Sequence, residues 1–247
     1  MLTIAYGADP DQAGDLYLPD VHECPLVCLF HGGFWRMPYG RDQLDPMALD
    51  LSQAGVAVWN LGYRRVGPGG HPWPATLRDV EAALALLPEL GQAHPRVNLR
   101  RLVLVGHSAG GQLAFWGARK AREITGSSRP AAVVGLAPIL DLMAAAAAGL
   151  GRGAVEQYLG GSPSAVPDRY REASPAAHVP LGIPQYVLHG EDDAAVPPRL
   201  SEDYIARARE AGDEATYVPL PGTDHMALID PRSPAFARVR RYILSPT

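Results

Sequence analysis

The segment Gly106-His107-Ser108-Ala109-Gly110 sets one hydroxyl between two glycines. It follows the apolar run Leu102–Val105 and precedes a helical pattern carrying Phe115 and Trp116. Gly-x-Ser-x-Gly alone is a weak signal, and the strand–turn–helix setting is what gives it chemical meaning. In such a turn the serine takes a strained backbone conformation, and side chains at Gly106 and Gly110 would collide with the neighbouring strand and helix. The turn presents the Ser108 hydroxyl and leaves the Ala109 amide free to donate. A plain tight turn would need nothing more. A nucleophile would need a base, an acid and donors for an oxyanion.

The chain has eight histidines: His22, His31, His71, His94, His107, His178, His189 and His225. When the serine lies on a strand–helix turn of this kind, acid and then base follow it along the chain. The stretch Val187–Pro197 supplies Glu191, Asp192 and Asp193 after an apolar run, and His225 is the one histidine beyond it. His225 is therefore the base, or the set is incomplete. Asp193 is the preferred acid, because a turn of about four residues lets its carboxylate swing toward the His225 loop. Asp192 is the near rival and Asp141, after Ala132–Leu136, the distant one. The plainer role for each is a solvated loop charge or a helix cap. Upstream, Leu26–Arg36 also ends an apolar run on glycines. Gly33 and Phe34, with Ala109, are the candidate oxyanion donors, and Gly32 is a further option. His31 is expected to brace this loop and His107 to pack beside the serine turn. Trp35 and Tyr158 are candidates for lining a small apolar substrate pocket, with core packing as the competing role.

These groups need a scaffold. Short β-like runs alternate with helical ones, the pattern of a mostly parallel sheet covered on both faces. Strands are expected at Asp15–Leu18, Leu26–Phe30, Val56–Asn60, Leu102–Val105, Ala132–Leu136, Gln185–Leu188 and Ala215–Pro219. Most are continuous apolar runs, as burial of both faces demands. In Thr76–Leu87, Leu77, Val80, Leu84 and Leu87 recur at helical spacing, and Gln112–Arg122, Ser201–Ala211 and Pro234–Tyr242 read as further helices. The stretch 139–175 is rich in Ala, Gly and Pro and too long for one crossover helix. It is expected to be a small helical cap on a single α/β domain spanning 1–247.

Composition narrows the class. With 47% hydrophobic and 19% charged residues and a net charge of −4, the chain lacks the basic footprint of a nucleic-acid or anionic-lipid binder. The apolar stretch 142–151 is too short to span a bilayer, and the first residues lack the two regions of a secretion signal. Cys24 and Cys28 lie on one face of one strand, a poor disulfide and too few ligands for zinc. A cytoplasmic protein, monomeric or homodimeric, acting on a small molecule is the expectation.

Taken together, "HGGFW", "GHSAGG", "HGEDDAAVP" and "PGTDH" stand in the order of the α/β-hydrolase superfamily, and the resemblance covers nearly the whole chain. The HGG-x-W form resembles the kynurenine formamidase (arylformamidase) and small carboxylesterase branch, as do "PATLRDVEAAL" and "YREASPAAHV". The resemblance implies an α/β-hydrolase fold of about eight strands, with Ser108 as nucleophile, Asp193 as acid and His225 as base. It implies a hydrolase of short-acyl or aryl esters needing no metal or organic cofactor. Formamide hydrolysis is the alternative. A peptidase or a non-catalytic binding protein is more remote.

Overall fold

The computed structural model describes residues 1–68, 73–126 and 129–246; His71 lies outside the described residues. Eight strands form one sheet: β1 (Leu2–Ala5), β2 (Ala13–Tyr17), β3 (Cys24–Phe30), β4 (Ala57–Leu61), β5 (Val97–His107), β6 (Ala132–Leu136), β7 (Gln185–Gly190) and β8 (Ala215–Leu220). Their order across the sheet is β1-β2-β4-β3-β5-β6-β7-β8. The first two pairings are antiparallel and the rest parallel. This is the mostly parallel, helix-flanked sheet that the alternation of apolar runs called for, with the eight strands that the α/β-hydrolase resemblance implied.

The apolar runs are continuous because side chains alternate across a strand and both faces are covered. Along β3, Leu26, Cys28 and Phe30 join one buried cluster, while Val27 and Leu29 join the other. The first face is covered by α2 (Ala75–Ala85), α3 (Leu87–Ala93), α4 (Ala109–Thr125) and α8 (Pro198–Glu210). The second is covered by α1 (Asp45–Gln53) and α9 (Phe236–Leu244). Each fully buried Val, Leu or Phe contributes roughly 1.5–3 kcal/mol. The amphipathic pattern of α9 shows how a helix meets this surface: Phe236, Val239 and Ile243 are buried, while Arg238, Arg240 and Arg241 stay outside.

The helical run expected over 76–87 is two helices. Pro88 lacks the amide that would continue the first, and it sits in the opening turn of α3 instead. The 139–175 stretch carries α5 (Leu142–Ala147), α6 (Ala154–Leu159) and α7 (Pro167–Ala173). Its two ends are drawn together: the Leu142 amide donates to Ser174 Oγ (3.0 Å) and the Ala176 amide to the Leu140 carbonyl (3.0 Å). Side chains from α4 then dock it. Gln112 Nε2 donates to the Ala173 carbonyl (2.9 Å) and Trp116 Nε1 to the Glu172 carbonyl (3.1 Å). Cys24 and Cys28 are buried and free. Among the described residues no helix is long and apolar enough to cross a membrane.

Candidate active site

Ser108 follows directly on β5 and precedes α4 with φ at +55°, in the left-handed region that costs a non-glycine residue about 1–2 kcal/mol. The turn is over-determined by its neighbours. The Ser108 amide donates to the Leu136 carbonyl of β6 (2.8 Å), and the Ser108 carbonyl accepts from Gly111 (3.0 Å) and Ile139 (3.2 Å). A Cβ at Gly106 would overlap the Gly110 carbonyl, and one at Gly110 would overlap the carbonyls of Phe30 and His31 at the end of β3. The two glycines therefore let strand, helix and the following loop close on one another.

The other groups arrive from separate strands. After β7 the chain turns tightly, with Asp193 Oδ1 accepting the amides of Ala195 (2.8 Å) and Val196 (2.9 Å). Its Oδ2 faces His225 Nδ1 at 2.6 Å. The loops after β7 and β8 are held together by Asp192 N donating to the Thr223 carbonyl (3.1 Å) and Glu191 N to the Leu220 carbonyl (3.0 Å). Asp192 itself is exposed. Asp141 serves as the N-cap of α5, accepting from the Ala144 amide, and pairs with Arg207 at 3.1 Å. Of the three aspartates considered, Asp193 is the one whose carboxylate bonds His225.

Burial alone would raise the Asp193 carboxyl. Hydrogen bonds from His189, His225 and the Val196 amide, with the charge on His225, outweigh it and hold the group well below the usual carboxylate range. Asp193 is thus a fixed anion, able to orient an imidazole and offset its positive charge. His189 is a participant the sequence reading passed over. Fully buried, its Nε2 lies 3.2 Å from Asp193 Oδ2 and 2.9 Å from the Val196 carbonyl, while Nδ1 meets Ser201 Oγ at 2.7 Å. Ser201 donating to Nδ1 leaves the proton on Nε2, which donates to the Val196 carbonyl with the carboxylate alongside. The available signal was the His-x-x-x-Asp spacing across a strand-ending turn.

His107 packs against His225, with ring centroids 4.5 Å apart, and its Nε2 donates to the His225 carbonyl (3.1 Å). This brings the His225 ring to the residue that precedes Ser108. His31 donates from Nδ1 to the Gly32 carbonyl (2.8 Å) and stacks on Tyr63 at 4.2 Å. Burial drives both imidazoles down to about 3, and the charge on His225 adds to the effect at His107. Both would titrate near 6.5 in the unfolded chain. Below that pH the unfolded state binds protons that the native state refuses, so stability is full above about 6.5 and falls as pH drops. Each contributes ~1 kcal/mol per pH unit. Urea denaturation is expected to show a loss of roughly 2–4 kcal/mol between pH 7 and pH 5. His107→Gln, which keeps a donor for the His225 carbonyl, should about halve that slope. Stability unchanged across this window would contradict the neutral burial of these rings.

Across the serine turn lies the loop after β3. Gly33, Phe34 and Trp35 all have positive φ (106°, 53° and 56°). Backbone turned in this way can present successive amides to a negative oxygen. Among the described residues, the amides of Gly33, Phe34 and Ala109 make no turn or cap hydrogen bond. Trp35 and Tyr158 differ from expectation. Both are buried in the core, stacked on each other at 4.5 Å and 4°, and Trp35 Nε1 donates to Gln112 Oε1 (3.0 Å). Buried and stacked on each other, the two rings brace the loop rather than face an open pocket. Among the described residues, the exposed apolar groups nearby include Met37 and Tyr39, the latter packed on Gly33, and Met226, beside His225. Met226 also lines a cleft of about 390 Å³ with Pro46, Ile229 and Asp230.

A model of the BD-FAE family matches residues 15–207. Kynurenine formamidase from Danio rerio is 24% identical over an alignment of 239 residues that covers 93% of this chain and 76% of that protein. An acetyl-hydrolase from Streptomyces hygroscopicus is 33% identical over 211 residues, covering 79% of this chain and 66% of its own length. A truncated carbohydrate esterase from gut microbiota superposes with a TM-score of 0.82 at 21% identity, covering 99% of this chain and 94% of that one.

Proposed function

Because the chain belongs to the BD-FAE family of α/β-hydrolase esterases, we propose that it is a serine carboxylesterase acting on short-acyl or aryl esters. The observation that carries this reading is the 2.6 Å bond between Asp193 and His225 Nδ1 beside a strained, glycine-flanked Ser108. With Nδ1–H held by the carboxylate, the far nitrogen of the imidazole is left basic. It takes the proton of Ser108 as Oγ attacks the ester carbonyl. The tetrahedral oxygen gathers the negative charge and is met by the amides of Gly33, Phe34 and Ala109, each worth on the order of 3 kcal/mol when aligned. Collapse expels the alcohol, protonated by His225. Water, deprotonated by the same imidazole, then releases the acid and regenerates Ser108. The substrate is a small molecule, and the two buried free cysteines suit a reducing cytoplasmic setting.

Met37, Tyr39 and Met226 are exposed apolar side chains near the site, and Phe34 is pressed against the α5–α6 turn rather than free to open a long channel. We therefore expect kcat/KM on p-nitrophenyl esters to peak at two to four acyl carbons and to fall by about tenfold or more at eight. A steady rise toward long chains would overturn the short-acyl assignment. Similarity to a formamidase over 93% of the chain favours a second reading, formamide hydrolysis by the same groups. N-formylkynurenine turning over faster than phenyl acetate would promote it above the first.

A further inference from the structure

The strained backbone of the candidate oxyanion loop is anchored differently at its two ends. Its N-terminal end continues from β3, and Tyr63 donates to the His31 carbonyl (2.7 Å). Its C-terminal end is bridged to the chain beyond β4, with the Val66 amide donating to the Trp35 carbonyl (2.7 Å) and the Met37 amide to the Val66 carbonyl (2.8 Å), and from there it reaches out to the 139–175 segment. Arg36, one residue past the three left-handed positions, donates from Nη1 to the Gly151 carbonyl (2.7 Å), from Nη2 to the Arg152 carbonyl (3.3 Å) and from Nε to Gln157 Oε1 (2.8 Å). The rest of that turn fits the loop as well. Gly151, at φ +56°, lies so close beneath Phe34 that a Cβ there would come within 2.7 Å of the ring.

We infer that Arg36 is a positioning residue: by clamping the 149–157 turn it holds the Gly33 and Phe34 amides in line for the oxyanion. The reasoning is mechanical. Non-glycine residues in the left-handed region persist only where their surroundings over-determine them. The amides of Gly33 and Phe34 lie between β3 and the Val66 bridge, and Arg36 is the side chain that ties this stretch to the 149–157 segment, so releasing it lets φ relax and turns the N–H groups away. Arg36 is suited to the task because its planar fork engages several acceptors at once, and all three here are neutral oxygens rather than a carboxylate that would compete for it. Donors aimed at the tetrahedral oxygen stabilise the transition state more than the bound ester. Misalignment therefore appears in kcat and not in KM. The inference rests on the esterase reading above.

The test compares wild type with Arg36→Met, Arg36→Lys, Gln157→Ala and the Arg36→Met/Gln157→Ala double variant. Readouts are p-nitrophenyl acetate kinetics, inhibition by phenylboronic acid as a tetrahedral mimic, and urea midpoints. Arg36 is only partly buried, so the variants should fold. Arg36→Met is expected to lower kcat by about 10- to 50-fold with KM within threefold, and to raise the phenylboronate Ki by a similar factor. Arg36→Lys should restore part of the loss. Gln157→Ala should cost a few-fold alone and nothing further in the Arg36→Met background. A lowered urea midpoint with kcat and Ki unchanged would overturn the inference, as would a raised KM at constant kcat. A wild-type protein that turns over no ester and takes no fluorophosphonate label would overturn the esterase reading itself, and this one with it. An active wild type matched by an equally active Arg36→Met would overturn this one alone.

Discussion

Replacing Ser108 with alanine is expected to reduce kcat on p-nitrophenyl acetate by about 10⁴- to 10⁶-fold and to abolish labelling by a fluorophosphonate. Nothing else near the turn offers a substitute. Both cysteines are buried on the sheet away from solvent, and burial pushes the Cys28 thiol up, far from reactivity. The residual rate should come from the amides of Gly33, Phe34 and Ala109, which remain in place and still polarise the carbonyl. The fold should survive, because the turn is held by the Ser108 amide and carbonyl, which alanine keeps. Equal thermal midpoints with activity lost would identify a chemical defect. Wild-type hydrolysis by the variant would remove Ser108 from the mechanism.

Asp193→Asn is expected to lower kcat by about 10³- to 10⁴-fold, for a reason visible in its hydrogen bonds. The carboxylate receives two main-chain amides on Oδ1 and the His225 imidazole on Oδ2, where His189 Nε2 also lies 3.2 Å away. Asparagine has one acceptor oxygen and one NH₂, so the donors on one side must face another donor. If the oxygen keeps the amides, His225 is driven to the tautomer with Nδ1 unprotonated. Its other nitrogen then carries a proton and cannot accept one from Ser108. If the oxygen turns to His225, the 193–196 turn loses two bonds and stability falls by roughly 1–3 kcal/mol per unsatisfied amide. Steady-state kinetics together with urea denaturation separate the two outcomes. An Asp193→Asn enzyme within tenfold of wild type would show that His225 needs no anion at Nδ1.

The expected elements that matched the fold best were those buried on both faces. Ala132–Leu136 is both the expected strand and β6, since a short apolar run between turn residues has few other uses. β1 went unread for the opposite reason. Leu2–Ala5 is largely exposed, and only antiparallel pairing with β2 makes it a strand. β5 is longer than its apolar run because Val97 and Asn98 pair with Cys24 and Pro25 across a bulge, carrying the exposed Arg100 and Arg101 with them. α1 was also unread, although Pro46 in its first turn and buried Met47, Ala48 and Leu51 mark it. Main-chain pairing and tertiary burial, not local propensity, shape these segments.

The sequence by itself determined the layered architecture and the geometry of the turn at Ser108. An apolar run followed by paired glycines leaves the backbone few alternatives, and chain order leaves one histidine downstream. The sequence preferred Asp193 as the acid, but only the tertiary structure shows that its carboxylate, and not that of the neighbouring Asp192, meets His225. The tertiary structure also decided that Trp35 and Tyr158, more than a hundred residues apart, hide each other, and that Arg36 reaches Gly151 and Gln157. The physical reason is common to all three. What a carboxylate, a ring or a guanidinium does depends on which groups the fold sets against it, and those partners come from distant parts of the chain.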